Sequence, residues 1–186
     1  CSGTDTVTCY QDADQDGWGL EGVTAQRADG VCRTSDSLAD APGDCLDTDG
    51  TFFPFAYDTP DDGLDQDCTG SDTVTCLQDL DGDGYGSGIT TLAPDASCDL
   101  ADLEAPTDMG GDCDDTEGSV NPGATETPSN AIDEDCNGVD AATCLADVDM
   151  DGFGADGEFV VALDGTCDVA DGEALVVSGG DGEDAG

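Results

Sequence analysis

The sequence has no histidine, and its two basic side chains, Arg27 and Arg33, face 46 Asp and Glu, for a formal net charge of −44 over 186 residues. Without imidazole the chain lacks the one side chain that ordinarily changes charge near neutral pH, the usual agent of acid–base catalysis. Without cations it cannot engage phosphates, so neither nucleic acid nor an anionic membrane surface is expected as a partner. No apolar run approaches the roughly 20 residues needed to span a bilayer. There is no G-x-S-x-G and no phosphate loop, and aromatic residues are only 5 % of the chain, too few to shape an apolar cleft. The expectation is that the protein is not an enzyme. A carboxylate pair acting as in a glycosidase is the remote alternative. Zinc is also disfavoured, because no Cys pair has the close C-x2-4-C spacing such sites use.

Composition alone describes an acidic, disordered chain that repels itself. Two regularities argue otherwise: the placement of 11 cysteines and the placement of the acids. Aligned on cysteine, the chain resolves into copies of one unit: Cys9, Cys32, Cys45, Cys68; then Cys76, Cys98, Cys113, Cys136; then Cys144 and Cys167. The expected organisation is residues 1–5 as the back half of a preceding repeat, 6–72 as repeat 1, 73–140 as repeat 2, and 141–186 as a truncated repeat 3. Such dense, even cysteines imply disulfides, an oxidising compartment and an extracellular or cell-surface location. Two connectivities are open. Sequential pairing within repeats is preferred over the offset pairing of Cys1–Cys9, Cys32–Cys45 and so on, because its larger loops constrain the unfolded chain more.

Each unit opens with a short β-type run (TVTCY, TVTCL, AATCL), followed by an acidic turn and a second run such as Gly157–Leu163, which predicts a hairpin. Gly, Pro, Asp and Thr dominate the rest and predict ordered turns. Only Ser35–Ala41 and Val169–Leu175 are expected to hold a helical turn. The fold class expected is small β and irregular: tandem disulfide- and calcium-stapled repeats with short hairpins, little helix and a thin core.

The acids alternate as calcium ligands do. D-x-D-x-D-G-aromatic-G occurs three times, placing Asp12, Asp14 and Asp16, then Asp79, Asp81 and Asp83, then Asp147, Asp149 and Asp151 at loop positions 1, 3 and 5. Calcium takes six to eight oxygens at about 2.3–2.6 Å, and alternating carboxylates before a sharp glycine turn can wrap that shell. Position 7 contributes a backbone carbonyl, here from Trp18, Tyr85 or Phe153. Position 12 closes the shell with a Glu, which only the third copy has, at Glu158; the other copies must be closed from elsewhere. A second loop, D-x-D-C-[TN]-G, offers Asp65, Asp67, Thr69 and Asp72, or Asp133, Asp135, Asn137 and Asp140. A third cluster surrounds the third cysteine: Asp44, Asp47 and Asp49, or Asp112, Asp114, Asp115 and Glu117. That cluster could close the first loops or be only a solvated turn. Asp58 and Glu126 are weaker candidates. Several Ca²⁺ ions are expected, two or more per full repeat.

DLDGDGYG, GGDCDDTEGSVNPGATE and IDEDCNGVD resemble the metal-binding repeats of large secreted bacterial surface proteins, a family that includes the copper-binding surface protein of methanotrophs. The alternation is also similar to thrombospondin type 3 repeats, where calcium loops and disulfides replace a core. The resemblance implies an extracellular metal-binding structural module. An imidazole copper site cannot be carried over, since histidine is absent, and an all-oxygen ligand set favours Ca²⁺. The role expected is a subunit or segment of a bacterial or archaeal surface filament, partnered with itself head to tail through Cys1–Asp5 of one chain and Asp181, Glu183 and Asp184 of the next. A calcium-rigidified spacer or ligand-binding region of an adhesin is the alternative, a calcium buffer or sensor a weaker one, and lipid anchoring at Cys1 a minority reading.

Overall fold

The structure, a computed structural model, describes residues 6–155 and 157–176. They form short strands joined by turns: β1 (Val7–Gln11), β2 (Trp18–Arg27), β3 (Leu38–Ala39), β4 (Ala41–Asp44), β5 (Val74–Gln78), β6 (Thr90–Ala93), β7 (Glu104–Ala105), β8 (Ala142–Ala146), β9 (Phe159–Ala162) and β10 (Glu173–Ala174). Helix is limited, among the described residues, to two single 3₁₀ turns, Thr34–Asp36 and Val169–Asp171, within or one residue from the stretches expected to hold them. The chain is therefore a small, disulfide-stapled β fold.

Three sheets result, ordered β3-β1-β2-β4, β6-β5-β7 and β10-β8-β9. Each has the same plan. A strand carrying a cysteine pairs antiparallel with the strand after the acidic turn, as Cys144 pairs with Val160, and its other edge takes a two-residue strand. Among the described residues two compact units emerge: 6–76 with 91–98, and 77–90 with 99–155 and 157–176. They divide the chain differently from the sequence repeats.

Five disulfides follow the sequential order: Cys9–Cys32, Cys45–Cys68, Cys76–Cys98, Cys113–Cys136 and Cys144–Cys167. Cys9, Cys76 and Cys144 are fully buried, and the other buried apolar side chains include Ala39, Ala105, Ala174, Leu77 and Leu145. The largest fully buried side chains are only these three cysteines and Asp12, Asp79 and Asp147. Phe159, Val161 and Leu163 lie outside, each at least half exposed. A conventional apolar core is absent among the described residues, as the thin aromatic content implied.

The acidic turns depend on two glycines each. Gly84 sits at φ +96°, a left-handed conformation that a side chain strains. Two residues on, a Cβ at Gly86 would lie 2.4 Å from Leu77 Cβ and 3.1 Å from the Gln78 carbonyl oxygen. The close approach brings the turn back onto β5. Gly86→Ala should therefore destabilise by about 1–3 kcal/mol through overpacking, whereas Gly88→Ala, which meets nothing within 4 Å, should be nearly neutral. Thermal unfolding of the two variants measures the difference.

Candidate metal centres

The first aspartate of each D-x-D-x-D-G loop ends a strand and turns inward. Asp12, Asp79 and Asp147 are wholly buried, and each backbone N–H is held by a carbonyl from the neighbouring edge, Ser37, Leu103 and Gly172 respectively. Their carboxylates wrap the loop. Asp79 accepts from Gly82 N at 2.7 Å and Gly84 N at 3.0 Å, and Asp147 accepts from Asp151 N at 3.2 Å and Gly152 N at 2.9 Å. The second aspartate accepts from the third, and the third from the aromatic: Trp18 N at 2.7 Å, Tyr85 N at 2.8 Å and Phe153 N at 2.9 Å. These local bonds bend three carboxylates toward one point. Asp12, Asp14 and Asp16 each place an oxygen within 4.8 Å of the others, as do Asp79, Asp81 and Asp83, and Asp147, Asp149 and Asp151. Two oxygens on opposite sides of one calcium-sized ion would be about 4.6–5.2 Å apart.

The aromatic rings differ between copies. Trp18 lies against Phe55 with centroids 6.0 Å apart, whereas Tyr85 packs over Gly123, which leaves no room for a Cβ. Phe153 is half exposed.

Only the third copy has a Glu at position 12. Past the aromatic and glycine the chain enters or approaches a strand, so Glu158 is exposed and its backbone carbonyl accepts from Ala146 N. The chain segment around the third cysteine comes in instead. β4 runs parallel to β2 with Asp44 paired to Leu20, and in the next copy Asp112 N donates to Gly86 O. Asp44 and Asp47 thereby bring oxygens within 4.8 Å of one another and of Asp14. Asp47 accepts from Ala13 N at 2.6 Å, and Asp115 from Leu80 N at 2.9 Å.

The cluster sorts into inner and outer members. Asp44, Asp47 and Asp112 are buried and Asp115 half-buried. Asp49, Asp114 and Glu117 are exposed and cap local turns through Thr51, Thr116 and Ser119. In the third copy the counterparts, Asp181, Glu183 and Asp184, lie outside the described residues, as does the expected head-to-tail joint at Cys1–Asp5.

Electrostatics separates two kinds of carboxylate. In Asp44 and Asp112 burial pushes the pKa up, and neighbouring carboxylates (Asp14, Asp16 and Asp47, or Asp83, Asp81 and Asp115) push it further. Asp16 and Asp81 are raised by the same two causes. Glu126 is held low instead by the backbone N–H groups of Ala141 and Asp135. At Asp58 burial is outweighed by the Thr73 hydroxyl and N–H and the Gln66 N–H, so it too is lowered. The same clusters hold unsatisfied oxygens. One oxygen each of Asp12, Asp14, Asp16 and Asp44, and of Asp81 and Asp112, is buried and accepts no hydrogen bond. Both basic side chains are engaged elsewhere, Arg27 with Asp29 and Asp36 and Arg33 with Asp29. The lone buried oxygens, all carboxylate, fit a hard metal ion, for which Asp12, Asp14, Asp16, Asp44 and Asp47 would be the ligands in one copy.

The D-x-D-C-[TN]-G loops wrap in the same way. Asp65 accepts from Thr69 N and Gly70 N, and Asp133 from Asn137 N and Gly138 N. Asp67 holds Thr69 Oγ1 at 2.8 Å, while Asn137 turns its oxygen to Val139 N. Asp133 and Asp135 cluster with Glu126 within 4.8 Å. Asp72 and Asp140 face other loops, accepting from Gly63 N and from Ser129 and Ala131 N. Sequence reading passed over Asn121, whose side chain donates to Asp83 at 2.7 Å, and Gly118, which lies against Asp83 and Asp81, 3.4 and 3.7 Å from where its Cβ would be. Gly50 over Gly118 in the repeat alignment was the available signal for the second.

Two segments, 44–72 and 112–141, match the Cu-binding MopE family model, described as "Putative metal-binding motif". Each runs from an inner closing aspartate through the D-x-D-C-[TN]-G loop, so the chain carries this motif twice. The chain matches no curated protein and no solved structure.

Without metal, Asp44 binds a proton more tightly folded than unfolded. Its contribution to stability is favourable below the ordinary carboxylate range and is lost as pH rises through its raised pKa. In chelator, Asp44→Asn should therefore melt a few degrees above the parent at neutral pH. That advantage should vanish by about pH 4, where carboxylates protonate.

Proposed function

We propose that this chain is an extracellular calcium-binding structural module in which calcium takes the place of an apolar core. The observation that carries the reading is the set of buried, unsatisfied carboxylate oxygens on Asp12, Asp14, Asp16 and Asp44, repeated in part at Asp81 and Asp112, in a chain whose two basic side chains are used elsewhere. The matched family is copper-associated by name. Copper sites use imidazole, thiolate or thioether, whereas here histidine is absent and the ten cysteines from Cys9 to Cys167 are all in disulfides. Carboxylates and carbonyls suit calcium, magnesium and manganese. A loop of alternating acids that draws further ligands from a distant segment suits the higher coordination number of calcium.

Disulfide density and the resemblance to surface proteins support an extracellular location. No helix among the described residues is long and apolar enough to cross a membrane. The role that follows is mechanical: a rigid segment of a surface protein, or a subunit of a filament assembled head to tail.

Ordering residues costs about 1–2 kcal/mol each, and so small a core cannot offset that cost while the carboxylates repel. Calcium bound only to the folded state adds about 2.7 kcal/mol per site at one hundred times Kd. Chelation should sharply lower the melting temperature and the protease resistance while all disulfides persist, and calcium should restore both. Retained resistance after metal analysis shows complete removal would overturn the reading. Among variants, Asp47→Asn should weaken calcium binding by about tenfold or more, and Asp49→Asn should not, as titration calorimetry would show.

A further inference from the structure

The disulfides are of two kinds. Three have one cysteine fully buried beneath a hairpin: Cys9, Cys76 and Cys144. The other two, Cys45–Cys68 and Cys113–Cys136, each have one exposed and one half-buried cysteine. They are also placed within the carboxylate clusters. Cys45 stands between Asp44 and Asp47, and Cys113 between Asp112 and Asp115. Across the bond, Cys68 follows Asp65 and Asp67, and Cys136 follows Asp133 and Asp135.

Each of these cystines is the covalent tie between two acidic loops. Cys45 N donates to Cys68 Sγ at 3.2 Å, and Cys113 N to Cys136 Sγ at 3.2 Å, so the turn carrying the inner closing carboxylates is anchored at the cystine itself. The turn's other anchors are the parallel β2–β4 pairing, or the bridge and N–H bonds of Gly110–Asp112 to Gly86 in the next copy, a carboxylate bond to Ala13 N or Leu80 N, and one backbone bond beyond the turn, Phe53 N to Gln66 O or Asn121 N to Glu134 O. With the tie opened, mutual repulsion among the carboxylates works to expel the turn.

We propose that Cys45–Cys68 and Cys113–Cys136 are redox latches on the metal centres. Opening either one lowers the affinity of its adjoining cluster for a divalent cation, and the bound cation protects that cystine from reduction. The inference rests on the calcium-binding reading above. The two halves are one quantity, because a coupling free energy between two equilibria is reciprocal. The cystine holds Asp44 and Asp47 close to Asp14, so the cation need not order them on binding. The cation holds Asp44 and Asp47, and with them Cys45, in the position the cystine requires, so the reduced pair recloses readily. The opening step needs a dithiol. One of its thiolates attacks a cystine sulfur to form a mixed disulfide, and its second displaces the remaining protein sulfur. Two electrons and two protons pass from the dithiol, leaving a cyclic disulfide and two cysteine thiols.

The test is equilibrium reduction of the full chain in buffers of reduced and oxidised dithiothreitol, in excess calcium and in excess chelator, with alkylation and peptide mapping of each cystine. Equilibrium is read because calcium also neutralises carboxylates that repel an attacking thiolate, which would confuse rates. In chelator, Cys45–Cys68 and Cys113–Cys136 should open at a less reducing ratio than the three hairpin cystines. Calcium should move their midpoints by about tenfold or more in that ratio, within the usual range of coupling between sites. Asp47→Asn should remove the shift at Cys45–Cys68 and leave the one at Cys113–Cys136, an internal control for folding. Equal shifts at all five cystines, or shifts insensitive to Asp47→Asn, would overturn the latch. Terbium luminescence on the same samples reports binding independently. Binding without a selective shift overturns the latch alone, and no binding overturns the calcium reading together with it.

Discussion

Burying carboxylates without an internal counter-charge is the constraint on which the rest of this structure depends. Asp12, Asp79 and Asp147 occupy positions where a globular domain would place leucine or phenylalanine, and they are among the largest side chains wholly removed from solvent. A buried charge is tolerated only when paired, hydrogen-bonded or bound to metal. Here the protein supplies the hydrogen bonds from its own loop N–H groups. It supplies no cation, because Arg27 and Arg33 are tied to Asp29 and Asp36 on the first hairpin. The exposed hydrophobic side chains show the other face of the same economy: burial goes mostly to disulfides, alanines and acids.

Not every acid serves the same end. Asp58 and Glu126 each spend both oxygens on backbone N–H groups, and their pKa values fall accordingly. They are staples that hold the irregular loops where strands would otherwise be needed. Asp44 and Asp112 are surrounded by other carboxylates and keep an oxygen without a donor, and their pKa values rise. Depressed groups stabilise the fold above the carboxylate range, whereas raised groups oppose it there until a cation intervenes. One composition thus encodes two opposite electrostatic roles.

The copies are variations on one device. In the first, Trp18 reaches Phe55; in the second, Tyr85 covers the space at Gly123, so a large pair is exchanged for a medium ring over no side chain. In the second copy Asn121 takes up an Asp83 oxygen, where the first copy leaves Asp16 with a bare one. In the third, Asp149 and Asp151 are exposed, as is Phe153.

Much of the architecture was legible because it rests on local chemistry. Alternating aspartates before glycine make the same loop wherever they occur, since each carboxylate bonds N–H groups only two to five residues ahead. The hairpins follow from β-type runs on either side; the larger loops of the sequential disulfides favoured that pairing over the offset one, and the structure decided it. What closes the loops was not legible to the same degree. Position 12 pointed to Glu158, which stands exposed one residue before β9. Nor did spacing separate Asp44 and Asp47 from Asp49, or Asp112 and Asp115 from Asp114 and Glu117, since all are acids in one turn. Only the parallel approach of β4 to β2, and of the Gly110–Asp112 segment to Gly86, decides which of them face the buried loop. The sequence by itself determined the motifs, their repetition and the need for an outside cation. The tertiary structure decided which distant carboxylates meet them, because that meeting is a contact between segments some thirty residues apart, set by strand pairing and not by local bonds.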